Sequence, residues 1–320
     1  GAGNTAVGYE SGVALTSGDS NTIIGYDAGK ALTTTSNNVI IGRDAGNDTV
    51  GNNAVIIGSH AGDDNSPTNA VIIGYRAGRV INGENAVAIG YDALKAATEP
   101  DNTAVGAYAL QSLVDGENNT AFGIAAGYRI DKGDNSTFLG WYAGYNATGS
   151  QNTFVGSQAG KGGTTTAPYS SGQNNTAVGY RALDSFTTGY ENVAIGGHAG
   201  DALSTGYTST FVGYYAGASA TTAGNNTYMG YAAGLGTTGG GNVGIGNHTM
   251  KNAAGDAADN TAVGGSSLYA ITTGDKNTTL GQSTGEALTT TSNTVLIGYQ
   301  AGYAINHNDA DGTVAIGYQA

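Results

Sequence analysis

The chain of 320 residues carries 56 Gly and 20 Tyr, three Pro and no Cys, with 11% charged residues and a formal net charge of −13. The missing cysteine excludes disulfides and thiolate metal sites, and the negative balance speaks against nucleic acid and anionic membrane surfaces as partners. No apolar run exceeds about five residues, which excludes a membrane-spanning helix, and regular apolar spacing separates this glycine-rich chain from a disordered one.

In chain order, a five-residue phrase opens at Asn4-Thr5-Ala6-Val7-Gly8, returns at Asn21 to Gly25 and Asn38 to Gly42, and closes at Thr313-Val314-Ala315-Ile316-Gly317. There are nineteen copies. Their final glycines stand 16 to 19 residues apart, except for 23 residues between Gly156 and Gly179. Such a period is too short for a helical hairpin and suits one coil of a β-solenoid. The prediction is an all-β parallel β-solenoid, or β-roll, of about 19 coils with two short strands each. It covers residues 1–320 as a single array and reads as a segment of a longer fibre.

Three residues before each glycine stands Thr or Val, from Thr5 and Thr22 to Val314, and immediately before it a Val, Ile, Leu, Phe or Met. These two positions share a strand face and are predicted to form the core. The residue between them points the other way and is mostly apolar, with Thr279 a polar exception. Strands apolar on both faces are buried on both, so this column is predicted to be an oligomer interface made by Ile23, Ile40, Ile56, Ile72, Phe138, Phe154, Phe211, Tyr228 and Leu296. The partner is the chain itself, as a parallel homotrimer.

An Asn lies four or five residues before the glycine in seventeen copies, which predicts an internal amide ladder. After the glycine comes an aromatic column, Tyr9, Tyr26, Tyr75, Tyr91, Trp141, Tyr180, Tyr214, Tyr231 and Tyr299. Rings on an exposed edge can hold sugars by their apolar faces, so a cell-surface glycan is the recognition partner they suggest; the same ladder also serves to seal a corner. Small residues three places after the glycine predict a second, closely approaching strand. The longest connector, residues 161–172, is the other candidate for recognition.

Two places after the glycine stand Glu10, Asp27 and Asp44 in successive coils, and His60, His198 and His248 elsewhere. The acidic trio could accept a bridging cation, and the alternative is that these side chains splay into water. The histidines occupy the fourth, twelfth and fifteenth copies, too far apart to share an ion. No catalytic grouping, cofactor motif or metal site is predicted, and the glycines fall one per corner rather than in a phosphate loop.

The phrases at Asn85-Ala86-Val87-Ala88-Ile89-Gly90-Tyr91 and Asn192-Val193-Ala194-Ile195-Gly196 resemble the head repeats of trimeric autotransporter adhesins. Those at Asn175 to Leu183 and Val295 to Gly302 are similar to repeats of phage tail-fibre proteins. The resemblance implies a left-handed trimeric β-roll and a non-enzymatic, extracellular role in attachment. Its bearer would be a phage tail fibre on the virion, with a bacterial trimeric surface adhesin or extracellular filament as the alternative. A more distant alternative is an ice-binding solenoid, which needs an exposed array of Thr; here Thr alternates with Val, as a buried position would.

Overall fold

Thr or Val at the start and Val, Ile, Phe, Leu or Met at the end frame one short strand, even where Ala or Gly stands between them, and a Gly then ends it. The computed structural model shows this in all nineteen copies, each a three-residue strand. It describes the chain except for residues 49, 65–66, 83, 164–165, 167–168, 253–254 and 306–309. Strands β1 (Thr5–Val7) to β9 (Thr137–Leu139) lie in one compact unit, residues 1–152, and β10 (Thr153–Val155) to β19 (Val314–Ile316) in a second, residues 153–320. Within each unit consecutive strands pair in parallel and in register, as Thr5 with Thr22, Ala6 with Ile23 and Val7 with Ile24. The chain is thus an all-β parallel solenoid of nineteen coils, with no α-helix among the described residues.

Coils are joined by backbone hydrogen bonds that alternate in direction. The Thr22 amide donates to the Asn38 carbonyl of the next coil at 2.8 Å, and the Gly25 amide to the Val7 carbonyl of the preceding coil at 2.9 Å. At the corner the glycines sit directly on one another. Gly90 has φ 136°, and a Cβ there would lie 2.6 Å from the Gly106 carbonyl carbon and oxygen. Both conformation and space exclude a side chain.

The predicted second strand of a coil does not occur among the described residues. The stretch after each glycine is a series of turns, because the residues two and four places on adopt φ near +50° to +60°, as Asp27 (52°) and Gly29 (54°) do, which no strand accommodates. These turns still hydrogen-bond coil to coil: Asp27 N–H to Tyr9 O at 2.9 Å and Gly29 N–H to Ala45 O at 2.9 Å.

The two faces of the strand are also reversed relative to expectation. Ile23, Ile40, Ile56, Ile72, Phe138, Phe154, Phe211, Tyr228 and Leu296 are fully buried inside their own coils and do not line an interface between chains. The flanking Thr/Val and Val/Ile positions, expected in the core, face outward. The physical reason is room. A coil this narrow holds one large side chain from the strand, and that side chain lies over the turn opposite, where Ile23 Cγ2 and Ile40 Cδ1 would meet a Cβ on Gly29 at 3.2 and 3.3 Å.

That shared slot explains a pattern in the sequence. Where the strand centre is Phe138, Phe154, Phe211 or Tyr228, the residue four after the coil's glycine is Gly144, Gly160, Gly217 or Gly234, whose added Cβ would strike the ring at 2.3 to 2.5 Å. Where the centre is Ala88, Ala104, Ala177, Gly244 or Ala262, that place holds Leu94, Leu110, Leu183, Met250 or Leu268, all fully buried. Ala121 with Gly127 and Ala194 with Gly200 leave space that neighbouring coils fill, through Leu110 with Phe138 and Leu183 with Phe211. Volume is conserved although residue identity is not.

The amide column inside is largely paired, with Asn38 Nδ2 left without a partner among the described residues. Asn21 takes the Asn38 amide on its Oδ1 at 3.0 Å and donates Nδ2 to the Thr35 carbonyl at 3.0 Å; Asn102, Asn119 and Asn192 repeat the arrangement. The expected ladder is therefore present four residues before the glycine. Where that site holds Ala54, Ala70 and Ala86, a second, exposed ladder runs one residue earlier, Asn37 to Asn53 at 3.2 Å and Asn53 to Asn69 at 3.0 Å. Thr279, the polar exception in the inward column, has its hydroxyl 2.6 Å from that of Ser267.

A volume swap tests the shared slot. Ala88→Ile alone should overpack and destabilise by about 1–3 kcal/mol, and Leu94→Gly alone should leave a cavity costing about 2–5 kcal/mol, less what glycine regains at φ 47°. The double variant should recover most of both losses in a denaturant-unfolding cycle; additive losses would show that the two residues do not share space.

Candidate functional site

The outer face of the sheet is the most distinctive surface. Its two columns are Thr or Val at the strand start and an apolar residue at the strand end. The second column runs without a polar residue from Val7, Ile24 and Ile41 to Ile297 and Ile316. Several of its members are half exposed, among them Phe122 at 54% and Leu280 at 50%. Coils rise by about 4.8 Å each, so each unit carries a stripe about 40 Å long, larger than the apolar patch a monomer ordinarily leaves in water.

Tyr9, Tyr26, Tyr75, Tyr91, Trp141, Tyr180, Tyr214, Tyr231 and Tyr299 are all exposed. The rings are not free platforms, however. Tyr9 stacks on Tyr26 at 5.1 Å, Tyr75 on Tyr91 at 5.4 Å, Tyr214 on Tyr231 at 6.0 Å and Tyr299 on Tyr318 at 5.6 Å. Each stacked pair uses ring faces on itself. In the first unit the ladder continues from Tyr91 through Tyr108, Tyr128 and Tyr145 at centroid spacings of 5.1, 6.4 and 4.9 Å, a ridge that sequence spacing alone did not reveal because Tyr128 and Tyr145 come from a different position of the repeat.

The charged column two places after the glycine is half-buried and paired rather than splayed. The Lys30 ammonium lies 2.6 Å from Glu10 and 3.3 Å from Asp27, and Arg43 meets Asp44 at 3.0 Å. The protein's own cations thus stand where a bridging ion was considered. No group of three metal-ligating side chains occurs among the described residues. The Glu10 carboxyl is held below the usual glutamate range by Lys30, assisted by the Tyr9 hydroxyl.

The histidines divide. His60 Nδ1 is 3.2 Å from Asp63 and Nε2 is 3.7 Å from Asp44. His198 is bound to Asp201 at 2.9 Å and stacks on Tyr215 at 4.8 Å. Burial, and then Lys251, pushes His248 below the usual imidazole range. Beside His60 a cleft of about 300 Å³ is lined by His60, Asp63, Tyr75, Arg76 and Arg79. Sequence reasoning missed it because its lining comes from three positions of the repeat in two coils; the signal available was Tyr-Arg following a coil with His and Asp.

Of the long connector, Thr164, Thr165, Ala167 and Pro168 lie outside the described residues. Its flanks fold back onto the next coil, with Gly163 N–H donating to Phe186 O at 2.8 Å and Gly172 N–H to Thr187 O at 3.0 Å.

No protein-family model and no curated protein matches the chain. Its affiliation accordingly stops at the fold, a parallel β-solenoid, and no helix is long and apolar enough to cross a membrane among the described residues.

The Lys30 clasp gives a direct test. In Lys30→Met the Glu10 carboxyl should rise toward the ordinary glutamate range, read by NMR titration. Because its native pKa is depressed, its small contribution to stability is present at neutral pH and fades as pH falls through that native value. A Glu10 titration unchanged in the variant would show that the ammonium is not what lowers it.

Proposed function

We propose that this chain is a passive shaft or head segment of a homotrimeric extracellular fibre, of the phage tail-fibre kind that holds an attachment surface against a host cell. A bacterial trimeric surface adhesin is the sister reading with the same architecture. The observation that carries the proposal is the unbroken apolar column on the outer sheet face. In each unit it forms a continuous half-exposed strip, longer than the apolar patch a monomer ordinarily leaves in water, and a partner of matching length would cover it. A partner with any other axial repeat would lose register after a few coils. A second copy of the same stack keeps it throughout. The number three comes from the resemblance of the repeat phrase to trimeric fibres. The role is mechanical and involves no catalysis; a cell-surface glycan would meet the exposed rings and charges of the turns.

The ice-binding reading gains one point from the structure. Thr5, Thr22, Thr103 and their equivalents face outward, so the argument that this column is buried no longer stands against it. The companion column contains no Thr at all, and Val39, Val55, Val71 and Val87 interrupt the first. Absence of thermal hysteresis at millimolar chain would dispose of this reading; clear ice shaping would favour it over the fibre.

Light scattering tests the fibre. The wild type should show three times the 31.7 kDa chain mass, and the outward pair Ile57→Asp with Ile73→Asp should reduce it to a single chain that keeps its β circular dichroism. The inward pair Ile56→Asp with Ile72→Asp should instead abolish the β signal, because unpaired carboxylates cannot be accommodated inside a coil. A wild-type mass near one chain overturns the proposal.

A further inference from the structure

We infer that the cleft across the fourth and fifth coils binds a saccharide bearing a carboxylate, such as a uronic acid. Its volume of about 300 Å³ lies at the small end of ligand pockets and accommodates one or two sugar rings. Tyr75, 44% exposed, supplies an aromatic wall for the apolar face of a sugar. Tyr91, which stacks on Tyr75, is not among the lining residues. Asp63, oriented by His60 at 3.2 Å, is an acceptor for ring hydroxyls.

The remaining lining groups are donors. Arg76 reaches Asp92 through Nε at 3.2 Å and stands 5.9 Å from the Tyr75 ring centroid; among the described residues nothing engages its terminal nitrogens. That planar fork is the geometry which grips a carboxylate by two parallel hydrogen bonds. A simple anion is a poorer candidate, because Asp44, Asp64 and Asp92 surround the site and the chain carries a net charge of −13. The ligand must therefore gain from the ring and from hydroxyl contacts as well as from charge.

The second unit provides a contrast built from the same residue types. There Arg181 is met by two carboxylates, Asp184 at 3.0 Å and Asp201 at 3.6 Å, and His198 packs among Tyr180, Tyr214 and Tyr215. There the terminal nitrogen of the guanidinium is already taken by carboxylates. In the first unit the Arg76 terminal nitrogens stay unengaged among the described residues, and Tyr75, stacked on Tyr91 and edge-on to His60 at 6.2 Å, keeps 44% of its surface exposed.

This inference rests on the attachment role for its biological use, but the cleft belongs to one chain, so its test is separate from that of assembly. The soluble wild-type chain would be titrated by calorimetry and NMR with methyl glucuronide, methyl glucoside and acetate. Methyl glucuronide should bind with a dissociation constant in the millimolar range and at least tenfold more tightly than either control. Arg76→Ala, Arg76→Lys and Tyr75→Ala should each weaken it about tenfold or more, while Arg181→Ala leaves it unchanged; melting curves verify that the variants are folded, and Tyr75→Ala decides if the Arg76 variants are not. Equal binding of the glucoside, equal binding of acetate, or no saturable binding at tens of millimolar would overturn the assignment. Binding by a chain that scatters as a monomer would refute the fibre and leave the site standing.

Discussion

Coil-on-coil pairing in strict register is the constraint on which everything else in this molecule depends. Because each strand is only three residues long, as at Thr22–Ile24, a coil has little cohesion of its own, and its backbone groups are satisfied by the coils before and after it. Register then forces every residue to meet its counterparts about 4.8 Å away. A tolerable neighbour must also be tolerable to itself. Glycine stacked on glycine at Gly90 and Gly106, amide on amide at Asn21 and Asn38, and ring on ring at Tyr9 and Tyr26 all meet that demand. Like charges do not, and the Glu10 and Asp27 pair is held together by Lys30.

The same constraint makes the interior one side chain wide. A coil's large residue comes either from the strand, as Phe138 does, or from the turn, as Leu94 does, and a coil with neither borrows volume from its neighbours. Stability is thus spread along the array in small nearest-neighbour increments. A polar residue enters at a matched pair of positions, as Thr279 and Ser267 show, because an unpaired hydroxyl in so dry a column would cost about 1–3 kcal/mol.

Strand positions, the parallel solenoid, the glycine corner and the amide ladder were all legible in the sequence, since each repeats at a fixed offset from the glycine. The orientation of the strand was not. Three residues with apolar side chains on both faces contain too little alternation to say which face is inside, and Thr/Val was read as buried where it is outward. The information lay at longer range, in the reciprocal sizes of the strand centre and the residue four past the glycine, Phe154 with Gly160 against Ala177 with Leu183. The second strand was predicted from small residues such as Ala28 and Ala45, which are small because they pack inside a turn. Gly four places past most corner glycines, and Asp27, Asp44 and Asp92 two places past theirs, signalled the positive φ that rules a strand out. The His60 and Arg76 cleft was invisible for a different reason, being a departure from the repeat rather than part of it.

Reversing the strand relocates function. With the bulky column sealed inside, the surface available for joining copies is the Thr/Val and Val/Ile face, and the turn side carries the rings and charges that could meet a cell. The inside-outside assignment is therefore the claim on which the proposed fibre and cleft both rest. It can be measured by thiol labelling, because the chain has no native cysteine. Single Cys substitutions at Ile72 and Tyr75 should differ sharply in the native state, with Cys at 75 labelled rapidly and Cys at 72 protected until denaturant unfolds the stack. Equal labelling of the two would contradict the assignment.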